Sequence, residues 1–243
     1  MPHPEDSQTA IENLILATLP QKRYSRLFAR LQPVSLNARQ IVYEQGRPIR
    51  FIYFPATAMV SLISMSQDRK KGIEVNVVGH EGILGLPIGL GGHLAVNRAL
   101  VQLAGLALRV ETNIFEEALA QDGPLKSMVE RYALFQLAGI SRSVGCNCFH
   151  KLEARLARWL LVTHDHARAD TFHLTQEFAA TLLGAHRPAI SLAANSLQTA
   201  KLISYSHGKV QVLNRQKLEA IACECYAVIR EEYTRLFGDL SAP

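Results

Sequence analysis

The chain has 243 residues, is 48% hydrophobic and 19% charged, and carries a formal net charge of +5 with a pI near 9.1. That is a globular balance, enough for one large domain or two smaller ones, and the mild basic excess is compatible with an anionic partner. There is no apolar run of about eighteen residues to cross a membrane. The opening MPHPEDSQTA has no Lys or Arg before Lys22, so it reads as neither a signal nor a transit peptide. A cytoplasmic protein with no membrane partner is expected.

Residues 1–8 read as disordered. Residues 11–31 read as two short helices split at Leu19-Pro20, with apolar spacing at Leu14, Ile15 and Leu19, then Tyr24, Leu27 and Leu31. From about residue 34 to 110 the period changes. Segments 40–43, 51–54, 59–63, 73–78 and 99–103 are short and β-like, punctuated by Gly46, Pro55, Gly72, Gly79, Gly82 and Gly105. Many short strands at close spacing predict a β-roll or barrel. Residues 85–92, GLPIGLGG, lack a lysine or serine in phosphate-loop positions and read as a flexible loop.

A helical stretch begins at Thr112, and a long helix is predicted from Pro124 to about Cys148. One apolar stripe runs through Leu125, Met128, Tyr132, Phe135 and Gly139; a second runs through Val129, Ala133, Leu137, Ile140 and Val144. Two stripes give the helix two neighbours. The natural pair is its own β-domain and the same helix of a second chain, with the first stripe read as the dimer seam. Burial inside one domain is the alternative.

The cysteines are Cys146, Cys148, Cys223 and Cys225, in two pairs each separated by one residue. On a helix, positions two apart point roughly 200° away from each other, so neither pair makes a clamp by itself. Zinc ligands are normally spaced more widely. The four read as buried small hydrophobes and no metal is assigned to them; a redox or metal role is the alternative. Cys146 and His150, four apart, could touch as a nucleophile and base, but no orienting third group or oxyanion-hole motif follows, so no enzyme is expected. Residues 150–164 form another amphipathic helix with Leu152, Leu156, Trp159 and Leu160 inward. At its end His164 and His166 lie two apart and need not converge on a metal. Residues 216–237 read as a single final helix.

Residues 174–213, LTQEFAATLLGAHRPAISLAANSLQTAKLISYSHGKVQVL, read as helix, sharp turn, helix and β-hairpin. Thr175 is the N-cap of the first helix. Gly184 stops it in a left-handed conformation, and Pro188 sits in the first turn of the second helix, which begins near Arg187. Ala180 and Gly184 allow the two helices to cross closely. This is the demand of a winged helix-turn-helix. From Phe178 through Asn214 there is no Asp or Glu, whereas His186, Arg187, Lys201, His207 and Lys209 are present. A surface approaching phosphates has this composition.

This order of parts resembles the Crp/Fnr family of bacterial transcription regulators along nearly the whole chain. The most specific stretches are ARLARWLLVTHD (154–165) and LTQEFAATLLGAHRPAISLAANSLQTAKLISYSHGKVQVLNR (174–215). A subgroup with CN-x-x-H before that helix and C-E-C-Y after the hairpin is matched by Cys146-Asn147-Cys148-Phe149-His150 and Cys223-Glu224-Cys225-Tyr226. Upstream, YEQGRPIRFIYFP (43–55) and VGHEGILGLP (78–87) look like the family's cyclic-nucleotide-binding-type β-roll.

The resemblance implies an α+β fold: an N-terminal β-roll (double-stranded β-helix), a long dimerisation helix and a C-terminal winged helix-turn-helix. The expected domains are 1–122, sensor; 123–149, dimerisation helix; and 150–243, DNA-binding domain with the C-terminal helix. It implies double-stranded DNA and a second copy of the chain as partners, and RNA polymerase if the protein is an activator. Thr175, His186, Arg187, Pro188, Ser191, Lys201, His207 and Lys209 become the DNA-contact set, with Arg187 matching an arginine that reads guanine in several members. Gly82, Ile83, Leu84, Asn97, Arg98 and Ala99 fall where relatives hold an effector. Three departures stand out. Pro188 and Ala189 replace polar residues. Asn195 and Lys201 stand where glycine is common. Ile83 stands where cyclic-nucleotide binders place a ribose carboxylate. With no cysteine in the first thirty residues, the N-terminal iron–sulfur cluster of oxygen-sensing relatives is missing too. No cofactor is evident, the effector is left open, and cyclic AMP is disfavoured. A protein-interaction adaptor with a degenerate helix-turn-helix is the alternative.

Overall fold

The computed structural model describes residues 12–238; the disorder expected at residues 1–8 lies outside them. Two short helices open the described chain, α1 (Leu14–Ala17) and α2 (Ser25–Arg30), on either side of Pro20 as the pattern predicts. Asn13 caps α1 with its Oδ1, while its Nδ2 donates to the carbonyls of Pro55 and Gly82, both at 2.9 Å. The side chain is fully buried and hydrogen-bonded at both ends, as a buried amide must be.

The β region comprises β1 (Gln32–Leu36), β2 (Ile41–Tyr43), β3 (Phe51–Pro55), β4 (Met59–Met65), β5 (Gly72–Val78), β6 (Arg98–Leu103) and β7 (Gly105–Glu111). One antiparallel sheet has the order β1-β7-β3, with Gln32 opposite Arg109 and Phe51 opposite Glu111; the other has the order β2-β6-β4-β5. Ile52, Phe54, Met59, Val60, Ala99, Val101, Leu108 and Val110 from these strands are buried. The segments anticipated as strands correspond to β2 to β6, and β1 and β7 are additional. The glycine-rich stretch is not an open loop: Leu86–Gly89 forms a one-turn helix, α3, entered through Gly85 at φ +101°. A Cβ at Gly85 would lie 2.5 Å from Ile52 Cδ1, so this glycine serves a close approach within the roll.

Helix α4 (Thr112–Leu119) leads to α5 (Pro124–Phe149), 26 residues long. Contacts divide the chain into two compact units, one through Ser64 plus Val77–Leu134, the other Met65–Asn76 plus Phe135–Pro243. The stripe read as the dimer seam is buried within its own chain. In the first unit Leu125, Met128 and Tyr132 are core residues. In the second, Phe135 meets Tyr233 and Phe237 edge-on at 5.7 and 5.8 Å, and Gly139 lies against Asn76. Tyr132 and Phe135, two of the bulkiest side chains of the helix, are therefore used inside the chain, where they gain from burial. The large apolar residues that α5 leaves exposed are Leu134, Leu137, Val144 and Phe149, at 54, 61, 62 and 83%. Ser141 and Cys148, also exposed, continue the line of Leu134, Leu137 and Val144.

The second unit contains α6 (Leu152–Ala167), β8 (Thr171–His173), α7 (Gln176–Leu182), α8 (Arg187–Thr199), β9 (Ile203–Ser206), β10 (Lys209–Val212), α9 (Arg215–Ile221) and α10 (Cys225–Phe237). Trp159 of α6 is buried and donates its Nε1 to Glu74 at 2.9 Å. The hairpin gains a third strand, in the order β8-β10-β9. The single C-terminal helix expected over 216–237 is instead two, broken at Ala222, whose backbone is extended at φ −60° and ψ 149°. Asp165 holds this corner: it pairs with Arg215 at 2.7 Å and accepts from the Tyr226 hydroxyl at 2.7 Å.

Candidate DNA interface

The helix-turn-helix is built by local rules. Thr175 caps α7, its Oγ1 accepting from Phe178 N at 3.2 Å. Gly184 ends the turn at φ +60°, and a Cβ there would fall 2.8 Å from Ile73 Cδ1. Helix α8 buries Ile190, Ala193, Ala194 and Leu197, the face predicted from its spacing. Its N-terminal end presents His186, Arg187 and Pro188 to solvent, and Arg187 occupies the first helical position. The wing turn uses left-handed His207 (φ +50°) and Gly208 (φ +73°), the pairing that suits a two-residue hairpin. His207 and Lys209 are exposed there, as is Lys201 at the start of the hairpin.

The anticipated contacts thus fall into two groups. Arg187, His186, Pro188, Lys201, His207 and Lys209 are exposed. Ser191 is half-buried and engaged internally: its Oγ donates to Gln176 Oε1 at 2.5 Å and to the Arg187 carbonyl at 3.1 Å. Thr175, also half-buried, is spent on capping. Gln198 braces the wing, accepting from Tyr205 N at 2.9 Å. Tyr205 donates its hydroxyl to the Leu174 carbonyl at 2.9 Å; burial pushes its pKa up to about 12, with Arg187 opposing. Sequence reading missed Gln176 and Tyr205, since the contact that gives each its place links different elements.

Of the positions assigned to an effector, Gly82, Ile83, Leu84 and Ala99 are buried, and Asn97 and Arg98 are half-buried. Ile83, Leu84 and Ala99 are core residues. Arg98 is paired with Glu44 at 3.1 Å. Gly82 abuts α5, where an added Cβ would sit 2.0 Å from Tyr132 Cζ. The His164 and His166 rings do not converge on a metal: His164 Nε2 meets Asp170 at 2.9 Å and its Nδ1 meets Arg215 at 2.7 Å, while His166 Nδ1 meets the Val162 carbonyl.

The cysteines depart most from expectation. Cys146, Cys223 and Cys225 are buried, but Cys148 is exposed. The sulfur atoms of Cys146 and Cys223 lie 3.5 Å apart, and Cys225 Sγ lies 3.5 Å from His150 Nδ1. The hydrogen bond from Cys223 lowers the Cys146 thiol well below its ordinary range, against burial and with help from Arg158.

Comparison with known proteins places these features. Residues 154–221 match the family described as a Crp-like helix-turn-helix domain. No curated protein sequence matches the chain. Among solved structures, FixK2 from Bradyrhizobium japonicum aligns with a TM-score of 0.65 at 16% identity, over 79% of this chain and 98% of its own. A CRP-family transcriptional regulator from Thermus thermophilus aligns at 0.64 and 20% identity, over 78% and 96%. The c-di-GMP-responsive regulator CLP from Xanthomonas campestris aligns at 0.61 and 15% identity, over 79% and 99%. The protein thus carries a Crp-like helix-turn-helix domain on the fold of the Crp/Fnr transcriptional regulators.

Proposed function

We propose that the protein is a homodimeric, sequence-specific DNA-binding transcription regulator that answers to a signal other than cyclic AMP. One observation carries the DNA reading: the exposed N-terminal end of α8, with Arg187 in its first turn, lies in a segment without a carboxylate from Phe178 through Asn214. A guanidinium fork there fits guanine O6 and N7, a contact worth about 1–3 kcal/mol of discrimination. His186, Lys201, His207 and Lys209 are suited to phosphates, which position without specifying. The second copy is expected along Leu134, Leu137, Ser141, Val144 and Cys148 of α5, whose spacing alternates between three and four as in a coiled-coil seam.

The signal reading rests on Ile83 in place of a ribose-binding acid and on Arg98 already neutralised by Glu44. The similarly folded CLP is c-di-GMP-responsive, so this fold is not tied to one ligand. Contact between Gly82 and Tyr132 gives the roll a direct lever on α5. RNA polymerase is a further partner if the protein activates. A protein-interaction adaptor is the second reading, motivated by Pro188 and Ala189 at the front of α8.

Selection of bound sequences from a random DNA pool, followed by gel shift, tests the main reading. The expected result is a two-fold symmetric motif with half-sites about 34 Å apart, and binding that weakens steeply with salt. A folded dimer that retains no fragment at low salt would favour the adaptor. Titration with cyclic AMP should give no saturable heat; saturable binding would overturn the signal reading.

A further inference from the structure

We propose that Cys146, His150, Cys223 and Cys225 form a structural zinc site. This inference stands independently of the DNA reading. The four ligand atoms all lie within 4.8 Å of one another. Around a tetrahedral zinc with Zn–S near 2.3 Å and Zn–N near 2.0–2.1 Å, neighbouring ligand atoms are spaced by about 3.5–3.8 Å. The contacts at 3.5 Å, Cys146 to Cys223 and Cys225 to His150, already have that spacing.

The backbone explains the convergence. Cys146 and His150 are one turn apart near the end of α5, so their side chains share a face. Cys223 and Cys225 would diverge on a continuous helix, but they flank the corner between α9 and α10, where the extended Ala222 breaks the helix. Cys148, on the opposite side of α5 from Cys146, is exposed and takes no part.

The surroundings support a metal rather than four idle side chains. His150 offers Nδ1 to the cluster, while its Nε2 meets Glu224 Oε2 at 3.0 Å. A carboxylate holding the far nitrogen of a ligating histidine fixes its tautomer and raises its basicity. A divalent cation with three thiolates leaves a net negative charge, and the guanidinium groups of Arg155 and Arg158 act electrostatically on this cluster. The Nε atoms of both arginines are buried without a hydrogen-bond partner. Three sulfurs and one imidazole suit zinc, and four protein ligands leave no open position for catalysis. The metal would staple the end of α5 to the α9–α10 corner. Arg155, which donates to Asn147 and to the Leu183 carbonyl beside the helix-turn-helix turn, extends the staple towards α7.

The test uses the full chain, purified under reducing conditions for metal analysis, then stripped with a chelator and titrated with Co²⁺ as a spectroscopic probe. One zinc per chain is expected, and one Co²⁺ should give the thiolate charge-transfer and visible bands of a tetrahedral centre. Cys146→Ser and Cys225→Ser should abolish stoichiometric uptake, and Cys148→Ser should leave it intact. Where a serine variant does not fold, two milder changes decide. His150→Cys should keep one metal with an all-sulfur spectrum. Glu224→Gln should weaken affinity by about 10–100-fold. No metal uptake, iron in place of zinc, a Cys146–Cys223 disulfide in the metal-free native protein, or spectra indifferent to His150→Cys and Glu224→Gln would each overturn the site.

Discussion

In the proposed mode of DNA binding, Arg187 and Lys209, two exposed cations, have different tasks. Arg187 opens α8 and would meet a base edge; Lys209 stands in the wing at the first residue of β10 and would meet phosphate. Arg187→Ala should erase preference at one base pair per half-site, about 1–3 kcal/mol, whereas Lys209→Ala should weaken all sequences alike and flatten the salt dependence. Competition gel shifts at several salt concentrations separate these outcomes, and equal loss of specificity from both would refute the division. Lys201 carries a further signature, a left-handed backbone at φ +56°. A side chain there costs about 1–2 kcal/mol relative to glycine. Lys201→Gly should therefore raise the melting temperature, offset in part by a looser unfolded chain, while reducing affinity for every DNA sequence; a lower melting temperature would contradict the strain.

Helix α5 shows that amphipathic pattern and partner choice are separable. Its two apolar stripes were legible in the sequence, but their assignment was not. Both contain large apolar residues, and only the neighbouring elements decide which face is enclosed. The stripe of Leu125, Met128, Tyr132 and Phe135 is consumed inside the chain, so Phe135→Ala should cost about 3–5 kcal/mol in denaturant unfolding. Leu137→Glu with Val144→Glu should leave the protomer folded but shift it to monomer in sedimentation. A dimer that survives this pair places the seam elsewhere. At the corner after α9, Asp165→Ala leaves Arg215 its contacts with Glu219, His164 and Tyr226 but deprives the Tyr226 hydroxyl of its acceptor. A loss of about 1–3 kcal/mol is expected from the unsatisfied hydroxyl, detectable as a lower unfolding midpoint.

Across the molecule, the roll and the long helix meet at Gly82 and Tyr132. Gly82→Ala would force Tyr132 to move, because a Cβ cannot occupy a point 2.0 Å from the ring. DNA affinity of this variant should change by severalfold without any alteration of the α8 surface, measured by fluorescence anisotropy on the selected site. Unchanged affinity in a folded protein would remove this contact from the signalling route.

The sequence by itself determined the β-to-helix order, the helix-turn-helix with its Gly184 turn, and the cationic segment 178–214 without Asp or Glu. These are local: periods, caps, turn residues and charges act over a few neighbouring positions, and they survive any rearrangement of distant parts. Tertiary structure alone decided the rest. Ser191 looked available along α8 but is engaged by Gln176. The cysteine pairs, judged one pair at a time, point apart. Folding selects one cysteine from the first pair and both from the second, because a broken helix at Ala222 brings residues 77 positions apart to within 3.5 Å. No spacing rule along the chain encodes that distance; it follows from how helices α5, α9 and α10 pack.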